Sequence, residues 1–336
     1  MIKSLYFWFV VFGLVLSSVN FSWGFLEPVA KLSFQVVDEQ GKPVENALVS
    51  VGFMQPRDAR KGLYEELEKA FTDAKGYCEV SHQTIGEVAF SVNKDGYYKS
   101  SGRYDFMEKE LMRWQPWNQL IQVVLRKIEN PVPMYARDTQ NSRKVKMPVT
   151  ADLEKGVGFD LIAYDWVAPY GKGVYSDFYF RMTSKYYKEH PQYKGQYEYD
   201  SELTITFTNK YDGIQVVKDS RKGGSVFKLP RFAPEDGYIK SWTATKMLSY
   251  SEPSKSSFKE DNNYFFRIRS EERDGKFYRA MYGKIQGEIE YGPKSPNSAV
   301  IIFKYYLNPD YTRNMEYDPK RNLFGELPGL ERVTRP

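Results

Sequence analysis

The sequence predicts an all-β protein built as two successive domains. Three observations carry this expectation. Short runs that alternate apolar and polar residues recur along the chain, and turn-forming residues separate them at close intervals. Aromatic residues are also abundant, with 27 Tyr, 22 Phe and 6 Trp in 336 residues. Alternation with a period of two gives a strand one buried face. Tyr and Phe suit such half-buried pleated surfaces.

The first strand signal is Lys31–Asp38, where Leu32, Phe34 and Val36 alternate with Lys31, Ser33 and Gln35. Asp38-Glu39-Gln40-Gly41 then forms a turn, because the Asp side chain bonds nearby backbone N–H groups and Gly takes positive φ. Ala47, Val49 and Val51 repeat the alternation, as do Val88, Phe90 and Val92, and later Ile121, Val123 and Leu125. Thr72-Asp73-Ala74-Lys75-Gly76 and Lys94-Asp95-Gly96-Tyr97-Tyr98 supply further turns. Short alternating strands with such punctuation predict an antiparallel sandwich over about residues 30–128.

Two inserts interrupt that rhythm. In 55–70, Leu63, Leu67 and Phe71 recur every fourth residue among Glu65, Glu66, Glu68 and Lys69, which predicts an amphipathic helix covering a sheet edge or the end of the sandwich. The segment 100–118 contains Arg113-Trp114-Gln115-Pro116-Trp117. Trp114 and Trp117 are candidate ligand-binding residues, since an open indole face stacks on sugar rings and Arg113, Gln115 and Asn118 offer hydrogen bonds at the rim. The competing reading puts both rings over the mouth of the core.

These residues carry a resemblance. Phe34 to Val44, Ala47-Leu48-Val49, Thr72 to Gly76 and Val92 to Tyr98 resemble the carboxypeptidase regulatory-like domain family, the transthyretin-like or prealbumin-like sandwiches of secreted bacterial proteins. The likeness spans about a hundred residues, and its motifs are turn and core positions. It implies a Greek-key sandwich with a carbohydrate-binding-like fold, acting as an accessory, adhesion or binding module. It implies no peptidase, because the two histidines of the chain, His82 and His190, fall short of a zinc-ligand set.

Residues 129–150 hold Pro131, Pro133 and Pro148 with Arg137, Arg143, Lys144 and Lys146, and lack an apolar period. They read as an extended, basic surface linker. Strand signals return over 151–324, with a clean alternation at Glu202–Thr208 and Asp-Gly turns at Asp212-Gly213 and Asp274-Gly275. A second, larger antiparallel sandwich is expected there, followed by a tail at 325–336. Asp165 and Trp166 are further candidate ligand-binding residues, pairing a carboxylate with an indole ahead of the glycines at 171 and 173. The acids and Asn residues between Asn308 and Asn322 offer oxygen ligands for Ca²⁺ at irregular spacing, without a fixed calcium-loop motif.

Export is the expected fate. Lys3, the apolar run Leu5–Leu16 and Ser22-Trp23-Gly24 have the layout of a secretory signal peptide over 1–24, ahead of a mature chain without a transmembrane helix. The single Cys78 rules out an intramolecular disulfide. A net charge of +5 scattered along the chain gives no nucleic-acid footprint. Scarce histidine disfavours zinc hydrolases and Ser-His-Asp triads. The sequence therefore predicts a non-catalytic, exported binding or structural module of the bacterial cell envelope, in the periplasm or at the cell surface. No cofactor is expected, and the partner is carbohydrate or another envelope protein. The rival expectation is a carboxylate-dependent glycan hydrolase with its site in the second domain.

Overall fold

In the computed structural model, the described residues are 27–58, 60, 62–140, 144–148, 150–219, 223–295 and 298–336. The expected signal peptide at 1–24 lies outside them, as does Arg143. Among the described residues the regular structure is strand throughout, in five sheets. None forms a helix long and apolar enough to cross a membrane.

The first half is a two-sheet sandwich. One sheet is centred on Val29–Asp38, flanked by Tyr77–Gln83 running antiparallel and Gln119–Lys127 running parallel. The pairing is thus not purely antiparallel as expected. The facing sheet runs Ser100–Asp105, Glu87–Asn93, Leu48–Asp58, Gly62–Phe71 in spatial order. The alternating residues Leu32, Phe34, Val36, Val49, Val51, Val88 and Val92 all enter the shared core. The turns behave as their chemistry requires. Asp38 Oδ1 accepts from the N–H groups of Gln40 and Lys42, and Asp73 Oδ1 from those of Lys75 and Tyr77. At Gly76, φ is +73° and a Cβ would stand 2.3 Å from the Val36 carbonyl oxygen, so any side chain would force that strand aside.

The segment 55–70 is not a helix. It is the end of Leu48–Asp58 and the antiparallel strand Gly62–Phe71, in register from Leu48 opposite Phe71 to Gln55 opposite Tyr64. A spacing of four residues returns to the same face of a strand as well as of a helix. Leu63, Leu67 and Phe71 therefore do share a face, but that face is exposed.

The second half contains a six-stranded sheet in the order Gly213–Lys218, Asn262–Arg273, Lys276–Ile285, Lys304–Asn308, Val132–Asp138, Tyr317–Asn322. It packs on a second sheet that includes Val157–Asp160, Phe178–Glu189, Tyr197–Thr206 and Ser241–Leu248. Phe159, Phe178, Phe180, Leu203, Ile205, Tyr264, Phe266 and Tyr305 fill the space between. The six-stranded sheet buries its other face too, where Phe265, Tyr282, Tyr306 and Tyr317 meet Leu229, Ala233 and Val333. Burial on both sides explains the unbroken run Tyr264-Phe265-Phe266.

Two boundaries and one turn differ from expectation. The supposed surface linker contains Val132–Asp138, a strand inside the six-stranded sheet with Met134 and Ala136 fully buried. Arg137, expected on a solvated face, lies 3.5 Å over the Tyr164 ring and donates to Glu331. The supposed tail beyond 324 is docked, with Glu331 and Val333 buried and the Glu331 carbonyl accepting from Asp138 N–H. Of the two Asp-Gly turns, Asp274-Gly275 has φ of +53° and +76° and closes a hairpin. Asp212-Gly213 instead carries the chain from one sheet to the other.

Candidate functional site: the junction of the two halves and a polar trough

The four residues singled out in the sequence divide between the two halves and do not form one site. Trp114 lies on the short strand Arg113–Gln115, its indole N–H donating to the Thr84 carbonyl at 2.9 Å. Its ring presses on Gly86 and Phe106 at the end of the first core. Trp117 is 38% exposed, but the Arg113 guanidinium stands 4.9 Å from its ring centroid and occupies one face. The expected rim is engaged as well. Gln115 Oε1 accepts from Trp117 N–H, while Asn118 bonds Ser33 and Glu79.

Asp165 works as a loop clasp: Oδ1 accepts from Trp166 N–H and Oδ2 from Lys172 N–H, both at 2.8 Å. Gly171 is required there, since a Cβ would lie 2.4 Å from the Trp166 carbonyl oxygen and 2.5 Å from Asp165 Oδ1. Trp166 corrects the sequence expectation. Its ring is buried edge-to-face against Phe159 and Phe180, and its N–H donates to the Lys146 carbonyl. A sugar finds no open indole face at this position.

The single cysteine and both histidines are similarly engaged. Burial, with help from the charges of Asp73 and Glu79, pushes the Cys78 thiol up to about 11, far from thiolate reactivity. His82 Nδ1 bonds the Gln83 carbonyl, and His190 Nδ1 accepts from the N–H groups of Gln192 and Tyr193. Among the described residues no group of three His, Cys, Asp or Glu stands close enough to hold a metal ion.

A dense polar constellation lies where the halves meet. Glu316, fully buried, accepts on Oε1 from the Tyr98 hydroxyl at 2.9 Å and Glu129 N–H at 2.8 Å. On Oε2 it accepts from Asn130 N–H at 2.9 Å and Arg231 Nη1 at 2.6 Å. Burial pushes this carboxyl upward, but those donors outweigh it and hold it below the usual range. Arg231 reaches back to Glu39 and the Lys127 carbonyl, both in the first half. Arg126 crosses the other way, donating to the carbonyls of Phe227 and Leu229 while its Nε pairs with Glu39.

Beneath these groups the Phe227 ring is buried, with Tyr98 at 5.2 Å and the Arg126 guanidinium at 4.1 Å. Lys284 is enclosed beside it, donating to the Met315 carbonyl at 2.9 Å. Burial, reinforced by Arg126, brings its ammonium down to about 7. The backbone joins too: Gly224–Ser225 from the second half pairs with Ser100–Asp105, extending the outer sheet of the first. A cleft of about 750 Å³ opens beside this seam, lined by Arg103, Arg126, Lys228 and Glu39 with Ser101 and Gln122. Sequence reasoning missed the junction, because its partners lie as far apart as 218 residues and leave no local pattern.

A second concavity is a polar trough of about 660 Å³ on the second-half sheet, lined by Thr183, Ser184, Asp200, Glu202, Thr245 and Lys246 among others. Hydroxyl, carboxylate and ammonium groups line it, and no aromatic ring does.

No family model matches the chain, and no curated protein matches it. Among solved structures, 3-chlorocatechol 1,2-dioxygenase from Rhodococcus opacus 1CP aligns at a TM-score of 0.25 and 11% identity, over 30% of this chain and 60% of that one. The chain thus spans about 60% of the length of that dioxygenase. A shaft pilin from Lactobacillus rhamnosus GG aligns at a TM-score of 0.23 and 9% identity, over 77% of this chain and 94% of that one. The major pilin subunit of Bacillus cereus aligns at 0.21 and 12%, over 82% and 69%. At such scores these likenesses carry no functional conclusion.

Proposed function

We propose that this chain is an exported, non-catalytic structural module of the cell envelope. The observation that carries the reading is the junction centred on Glu316. Its buried charges are consumed in tying two β bodies into one unit, an arrangement suited to holding position rather than to turnover. The engaged state of Cys78, His82 and His190 supports the same reading. The N-terminal segment supports export.

Fractionation of the native host tests this reading, with N-terminal sequencing of the recovered chain. Recovery from the envelope or medium, beginning near residue 25, is the expected outcome. Recovery from the cytosol with Met1 intact would overturn it.

Carbohydrate is the second reading, and the trough of the second half favours it over the tryptophans. Hydroxyl and carboxylate groups there offer hydrogen bonds to sugar hydroxyls without a stacking platform. A glycan array with and without Ca²⁺, repeated with Glu202→Ala and Lys246→Ala, should show binding that those changes abolish. Release of reducing ends from a bound glycan would instead favour the hydrolase.

A further inference from the structure

The strand Gly62–Phe71 ends its sheet, and its one strand neighbour among the described residues is Leu48–Asp58. Free sheet edges are ordinarily guarded by proline, bulges or unpaired charge. This edge has no proline and its ladder is regular from Phe71 to Tyr64, so the guard it carries is charge, at Glu65, Glu66, Glu68 and Lys69. On its outward face it shows Leu63, Leu67 and Phe71, exposed by 63%, 57% and 65%. Between them on that face stand Glu65 and Lys69.

That order is self-complementary about Leu67. When the strand pairs antiparallel with a second copy of itself, with Leu67 on the two-fold axis, Leu63 meets Phe71 of the second copy and Phe71 meets its Leu63. Leu67 meets Leu67. Glu65 then meets Lys69 of the second copy, and Lys69 meets its Glu65. A two-fold axis demands this kind of self-match. A one-residue slip would set apolar residues against the other face, where Glu66 and Glu68 lie. The pairing does place Glu66 opposite Glu68 twice on that other face. Two repulsive pairs against two attractive pairs of similar size nearly cancel. The three apolar contacts and the backbone ladder remain as the net attraction.

We propose that this edge is a homodimer interface, in which two copies pair through Gly62–Phe71 with Leu67 on the two-fold axis and join their five-stranded sheets into one. The occupant is a second copy because the charges match this strand's own reverse order. The dimer needs no disulfide, since Cys78 lies in the core.

Sedimentation velocity of the purified chain across a hundredfold concentration range tests the proposal. A concentration-dependent dimer is expected. Glu65→Lys alone, or Lys69→Glu alone, turns both cross-copy charge pairs repulsive and should weaken the dimer at least about tenfold. The double exchange restores both attractions and should restore the dimer. Leu67→Cys should give a disulfide-linked dimer under mild oxidation, whereas Leu63→Cys should not, because its counterpart is Phe71. Circular dichroism checks that each variant keeps the fold. A chain that stays monomeric throughout, a double exchange no better than the singles, or a dimer that Leu67→Cys fails to capture would each overturn the proposal.

Discussion

The hydroxyl of Tyr98, from the first sandwich, donates to Glu316 Oε1 at 2.9 Å across the seam between the halves. Glu316 is therefore a shared anchor: its carboxylate is the acceptor for donors from both sides. Removing Glu316 leaves the Tyr98 hydroxyl without its acceptor, whereas removing that hydroxyl leaves Oε1 with the Glu129 N–H alone. Tyr98→Phe should lower stability by about 1.5–3 kcal/mol, the range for a hydrogen bond to a charged group. Glu316→Ala should cost about 3–5 kcal/mol, because Arg231 is then buried without its nearest counter-ion. Urea unfolding of both singles and the double would measure the coupling, and additive losses would mean that the bond carries nothing.

Acid should weaken the same seam. The Glu316 carboxyl is held below its ordinary 4.5 in the folded chain, so the unfolded chain binds the proton more readily. Its contribution is full above about pH 4.5 and is lost as pH falls through the folded value. Asp177 has the opposite sign, since burial raises it despite the bonds from Arg269. Comparing the parent with Glu316→Gln isolates the seam. The stability gap between them should narrow from pH 7 to pH 3.5, and a constant gap would refute the assignment.

Lys284 should make stability climb on the alkaline side. With the folded ammonium near 7 against an ordinary 10.5, the unfolded chain holds more protons between those values. This group's penalty is therefore present below about pH 7 and fades as pH rises toward 10. Lys284→Met removes the buried charge but leaves the Met315 carbonyl without its donor. The variant should gain on the parent at pH 6 and lose that advantage by pH 9.5, as thermal melts across the range would show.

The hairpin between Glu108–Glu110 and Arg113–Gln115 turns at Leu111-Met112, with φ of +54° and +61°. Branched or bulky residues in the left-handed region cost about 1–2 kcal/mol each, and two-residue turns of this form prefer Asn-Gly. Leu111 is also 90% exposed, so little packing offsets the strain. The pair Leu111→Asn with Met112→Gly should stabilise the chain by about 1 kcal/mol or more. An unchanged or lower Tm would show that these side chains hold something in place.

Trp114 and Trp117 should separate in mutagenesis. Trp114→Ala removes a core-margin ring and leaves the Thr84 carbonyl unpaired, at a cost on the order of 3 kcal/mol. Trp117→Ala removes an exposed ring stacked on Arg113 and should cost less than about 1 kcal/mol. Equal losses would mean that the Trp117 ring is packed within the chain as firmly as that of Trp114.

Much of the first sandwich was legible in the sequence. Alternation, Asp side chains and obligatory glycines are local features, and each acts within a few residues. The strands around Leu32, Val49, Val88 and Val123 and the Asp274-Gly275 hairpin follow from them. Other features were local yet ambiguous. Leu63, Leu67 and Phe71 recur at a spacing common to a helix and to a strand, and only the ladder with Leu48–Asp58 selects the strand. Proline at 131 and 133 suggested a linker, although proline is tolerated at the start of a strand, and Val132–Asp138 begins there.

By itself, then, the sequence determined the all-β class and the turns, because period-two burial and backbone conformation are written residue by residue. Tertiary structure alone decided the seam. Tyr98, Arg126, Arg231 and Glu316 are unremarkable charged or phenolic residues in their own segments, and they acquire a role through partners brought together from distant segments. It also decided that Trp166 is core, since an indole beside an aspartate reads the same whether its ring faces solvent or Phe159. Burial is a property of what packs opposite, and a chain read in order does not display its opposite side.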